Sequence, residues 1–136
     1  MTGVRILLPA LLVTAAMLAG SLSVDAHHSF TGAYNVSRTI TITGTIIQIA
    51  LRSPHSFFYV ESQDAEGVSR QWAVEGASAG QFSQQGVDAQ SFRVGDPVEV
   101  TANPSRTPNS TRARLVTITR TTDGKSWGTG AGESVN

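Results

Sequence analysis

The chain has 136 residues, ten basic against ten acidic side chains, and no cysteine. That length suits a single domain, and zero net charge provides no global field to gather nucleic acid. The missing cysteines exclude disulfides, cysteine zinc sites, thioredoxin-like redox chemistry and a thiol nucleophile.

The first residues divide into three zones. Arg5 gives a positive start, Ile6 to Leu18 is almost wholly apolar, and Gly20 to Ala26 is small and polar. With Val24 at −3 and Ala26 at −1, this is the pattern of a cleaved secretory signal. The apolar run falls short of the roughly 20 residues a spanning helix needs. Residues 1–26 are therefore read as a signal peptide. The product is expected to be periplasmic or secreted, with no membrane span after cleavage. An uncleaved anchor is the alternative, and it would tie up the amine of residue 27 in a peptide bond. Cleavage removes Arg5 and Asp25, one charge of each sign, so the remainder stays neutral.

The rest reads as short strands separated by turn signals. The first strand spans about Thr39 to Leu51. Ile40, Ile42 and Ile46 share one parity, whereas Ile47, Ile49 and Leu51 share the other. A parity switch within one long strand predicts a bulge or sharp coil, and Gly44 nearby tolerates the backbone it requires. Arg52-Ser53-Pro54-His55 is a turn, because Pro cannot continue a central strand. Ser56 to Glu61 is a strand dense in aromatics, and Asp64 to Gly67 is a hairpin loop. Ser69 to Glu75 is the third strand, with Trp72 and Val74 on one face and Ala73 and Glu75 on the other. Ala77 to Gln85 is the helical candidate, with Ser78 as N-cap and Gly86 just past the end. Pro97 to Ala102 and Arg112 to Thr121 are the last two strands, separated by a polar loop. Residues 27–122 form the expected domain, and 123–136, rich in Gly and Ser, a flexible tail.

Three strands, a short helix, then two strands, led by a long coiled strand, match an OB-like five-stranded barrel. A small open sandwich is the competing arrangement. Alternation points Ile42, Ile49, Phe58, Val60, Trp72, Val74, Val98, Val100 and Ile118 inward.

His27-His28-Ser29-Phe30, Tyr34, Thr41-Ile42-Thr43-Gly44, Pro54-His55, Trp72-Ala73-Val74-Glu75 and Gly95-Asp96-Pro97-Val98 occur in a familiar order. In them the chain resembles a family of uncharacterised exported bacterial proteins. The mature form of these proteins starts His-His-Ser-Phe, and they carry an Asn-Pro-His turn and a Trp-x-x-Glu strand. The resemblance runs to about Trp127. It implies a periplasmic β-barrel and supplies no activity. This chain has Ser53 in place of the family's usual Asn and lacks an acidic residue just before Tyr34.

Three kinds of chemistry compete for the polar residues. Cleavage after Ala26 would leave a free amine beside the imidazoles of His27 and His28, and His55 is the remaining histidine. Amine and imidazole nitrogens suit Cu(II) above the other common divalent metals. His27, His28 and His55 are thus the candidate copper ligands. The bland reading makes the first two a solvated terminus and lets His55 bond a loop backbone. A second candidate is the OB ligand face and its loops, which carry Arg52, Phe57, Tyr59, Arg106, Arg112 and Arg114. These would take an anionic ligand or a protein partner, with the neutral balance arguing against nucleic acid. Alternatively, the aromatics support the core and the arginines solvate loops. Third, Glu61 and Glu75 fall on neighbouring strands, where paired carboxylates can do acid–base work. No catalytic motif accompanies them, so the chain is read as a binding protein and not an enzyme.

Overall fold

The computed structural model describes residues 30–128. The expected signal peptide, with its cleavage point, and the residues beyond Gly128 lie outside this range. A four-residue helix, α1 (Phe30–Ala33), precedes β1 (Ile40–Ala50), β2 (Phe57–Gln63) and β3 (Ser69–Glu75). The helix α2 (Ala79–Gln84) leads to β4 (Pro97–Pro104), β5 (Arg112–Arg120) and β6 (Ser126–Gly128). The strands form one sheet in the order β3-β2-β1-β4-β5-β6. Parallel pairing of β3 with β5 closes the first five strands into an OB-like barrel. The seam is short: Ala73 pairs with Arg112, Val74 with Ala113 and Glu75 with Arg114.

β1 serves two sides of the barrel. Its residues 40–45 pair with β4, and residues 45–50 with β2. The register slips between Ile46 and Gln48, so Ile47 is the bulged residue that switches parity. Gly44, close to the expected bulge, does a different job. A Cβ there would lie 2.1 Å from the Glu61 carbonyl oxygen, so only glycine lets β2 approach.

Ile42, Ile46, Phe58, Val60, Val74, Val98, Val100, Leu115 and Ile118 are buried in the interior. Ile49 and Trp72, both expected inward, are half-buried and pack against the flank of this core. α2 starts at the expected Ser78 cap, in a reciprocal capping box with Gln81. The chain leaves it through Gly86 at φ +75°. The helix lays Phe82 edge-on to Phe58, with ring centroids 5.7 Å apart.

The expected tail is corrected in part. Residues 126–128 pair with β5 as a sixth strand. The cause is Trp127, whose ring centroid meets that of Phe92 at 4.5 Å and whose face lies near the Arg120 guanidinium. Packing an indole against the core's flank recruits a strand that its Gly- and Ser-rich neighbours do not announce.

Candidate functional site

Glu75 is the centre of the described polar cluster. It ends β3 and its partner across the ladder is Phe57. Val74 faces the core, so Glu75 takes the outer face, yet it is only 9% exposed. Three groups cover it. The Tyr34 hydroxyl donates to Oε2, His55 Nδ1 lies 2.5 Å from Oε1, and Arg112 donates to Oε2 at 3.2 Å. A carboxylate offers only acceptors, so the His55 Nδ1 carries the proton in this bond. In the neutral ring, this tautomer leaves the other nitrogen, Nε2, as an acceptor. Burial, and after it the bond to Glu75, push the Tyr34 phenol well above its ordinary value. Tyr34 therefore remains a donor.

Local chain geometry explains why these groups meet. The turn before β2, which carries a cis Ser53–Pro54 bond, is pinned beside β3 by two backbone bonds. The Ser56 amide donates to Ala77 and the Gly76 amide to Ser56. His55 is thereby held next to Glu75. On the other side, the segment 30–35 is stitched onto the loop between β4 and β5. The Asn35 amide bonds Pro104, the Arg106 amide bonds Ala33, and Arg106 Nε bonds the Thr31 carbonyl at 2.7 Å. This delivers Tyr34, 3% exposed, to the carboxylate. It also lays the Phe30 ring against His55, with centroids 5.1 Å apart. Arg114, itself buried, places its guanidinium 4.5 Å from the Phe30 centroid.

The candidate arginines gather around the same ground. Arg52 and Arg112 lie 5.3 and 5.9 Å from the Phe57 centroid, and Phe57 stacks with Tyr59 at 6.2 Å. Arg106 and Arg112 line a cleft of about 400 Å³ together with Phe30, Tyr34, His55 and Glu75. Of the candidate metal ligands, His27 and His28 lie outside the described residues. Among the described residues no three metal-ligating side chains converge.

The carboxylate pair does not exist. Glu61 pairs with Gln71 and Glu75 with Phe57, four ladder positions apart, or roughly 13 Å at strand rise. The Glu61 carboxylate is exposed and instead accepts from Ser69. Sequence reasoning named Glu75 for the wrong partner and missed Tyr34 and Phe30 as site residues. The lack of an acidic residue beside Tyr34 is met by a carboxylate from another strand.

The model of a family of unknown function, DUF6152, matches residues 15–114 of the chain. No curated protein matches it.

Proposed function

The chain belongs to the DUF6152 family, and for this member we propose that it is an exported copper-binding barrel, with His55 as the ligand fixed on the barrel. The single observation that carries the reading is the His55 ring held through Nδ1 by buried Glu75. A carboxylate on one imidazole nitrogen is the usual way a protein orients a histidine and enriches its other nitrogen for a metal. The remaining ligands are the His27 amine and ring, with His28 as a further donor. Phe30 lies against His55. Two residues of chain span at most about 7 Å and three about 11 Å, which bounds how far His28 and His27 can lie from Phe30. Cu(II) favours this nitrogen set in tetragonal geometry. Glu75, Tyr34 and Arg112 are the supporting residues behind His55.

Calorimetry and electron paramagnetic resonance on three forms test the reading. These are the protein beginning at His27, its His55→Ala variant, and a form with one extra N-terminal residue. Both altered forms are expected to bind Cu(II) much more weakly and to change its spectrum. The extension converts the amine to an amide, and the substitution removes the barrel ligand. Three identical weak signals would reduce the site to chelation by a loose terminus. Affinity in the native form is expected to fall below about pH 6, where protons compete for imidazole and amine.

A second reading is favoured by the guanidinium groups around the same cleft: an anionic ligand held between the first and fourth inter-strand loops.

A further inference from the structure

The cleft beside His55 carries a donor set that copper binding does not use. Arg106 and Arg112 line it, with Ser105, Thr107 and Ser110 from the loop between β4 and β5. Arg106 spends Nε on the Thr31 carbonyl, and Arg112 spends one terminal nitrogen on Glu75. Each guanidinium has five N–H donors, so each retains several for a bound acceptor. Ser105 Oγ accepts the Thr107 amide at 3.1 Å, and Ser110 Oγ accepts the Arg112 amide at 3.2 Å. Both hydroxyls are thus oriented as acceptors by backbone, and their protons are left to donate.

Charge narrows the choice of ligand. The charged side chains lining the cleft are Arg106, Arg112 and Glu75, and the Arg114 guanidinium lies 4.5 Å from the Phe30 centroid. Guanidinium outnumbers carboxylate, which favours an anion, and a singly charged one meets less repulsion from the buried Glu75 than a doubly charged one. Apolar Phe30 and Ala33 also line the cleft. We propose that this cleft binds a small organic monocarboxylate, its carboxylate between Arg106 and Arg112 and its apolar body against Phe30. A guanidinium fork matches a planar carboxylate in two parallel bonds. The site rests on the anionic-ligand reading of this cleft and not on the copper reading, since none of its contacts requires a metal.

The test uses the full mature chain, stripped of metal with a chelator, and butyrate as the probe. Butyramide and inorganic phosphate are the comparisons. Butyrate is expected to bind saturably and to shift the amide resonances of Thr107, Ser110 and Arg112 in nitrogen-resolved NMR spectra. Butyramide should bind at least about tenfold more weakly, because it cannot form charge-assisted bonds. Arg106→Lys, which keeps the charge and removes the fork, should weaken butyrate alone by a similar factor. A form with one extra N-terminal residue should leave butyrate binding intact while weakening copper binding, so the two readings fail separately. Equal binding of butyrate and butyramide would overturn the proposal. So would tighter binding of phosphate than of butyrate, or an unchanged isotherm in Arg106→Lys.

Discussion

Tyr34 and Glu75 are 41 residues apart in the chain and are joined by a buried phenol-to-carboxylate hydrogen bond. The bond ties the N-terminal segment to β3, and its pH response can be worked out. Tyr34's folded value is raised, chiefly by burial, so the folded state favours the neutral phenol. The resulting stabilisation is complete below about pH 10, the ordinary phenol value, and is lost as pH climbs through the higher folded value. Tyr34→Phe is expected to lose about 1–3 kcal/mol at neutral pH, since the buried carboxylate forfeits a donor. It should also show a shallower decline in stability above pH 10. Urea unfolding of both forms across that range decides this, with the phenolate difference spectrum reporting Tyr34 itself.

Glu75→Gln keeps the side-chain size but replaces one acceptor oxygen with a donor. The Tyr34 hydroxyl, Arg112 and the His55 Nδ1–H all need acceptors there. Copper affinity is expected to fall about 10- to 100-fold, the usual cost of losing the group behind a ligating histidine. NMR of the His55 ring should show the Nδ1–H tautomer losing its dominance. Unchanged affinity would detach Glu75 from any metal role.

In the core, Phe58 is fully buried and contacts the rings of both Phe82 and Phe92. Phe58→Ala should cost about 3–5 kcal/mol in chemical denaturation. Trp72→Ala should cost less despite the larger ring, because Trp72 lies on the flank of the core. The reverse order would mean that the indole contributes more than its exposure implies.

Gly44→Ala should destabilise the barrel by about 1–3 kcal/mol through overpacking, because the new methyl meets the Glu61 carbonyl. Helix propensity and turn strain play no part at this strand position. A neutral result would show that β2 can shift away from β1 freely.

The strands were legible because alternation and turn residues agree with each other. The Ile40–Ile42–Ile46 and Ile47–Ile49 parities announced a bulge, and Ser78 and Gly86 bracketed α2. The bulge sits at Ile47, where the parity changes, but the role of Gly44 answers a close approach from another strand that no local pattern encodes. β6 escaped notice for a similar reason: its anchor is Trp127 against Phe92, 35 positions earlier. At the site, His55 was legible from residue type and from its place beside a Pro turn. The Glu75–Tyr34 bond was not, since ladder register and the docking of residues 30–35 decide it. The same register separates Glu61 from Glu75, which residue type alone had paired.

The barrel closes through three parallel residue pairs, and Glu75, Arg112 and Arg114 all belong to them. A ligand in the cleft would touch Glu75 and Arg112 and so act as a fastener on the joint that keeps the cylinder shut. An occupant that binds only the shut form adds about 2.7 kcal/mol to its stability at a hundred times its dissociation constant. Amide hydrogens along Ala73–Glu75 and Arg112–Arg114 should then exchange more slowly with bound ligand than without it. Occupancy of the cleft and closure of the cylinder are then linked equilibria, each favouring the other.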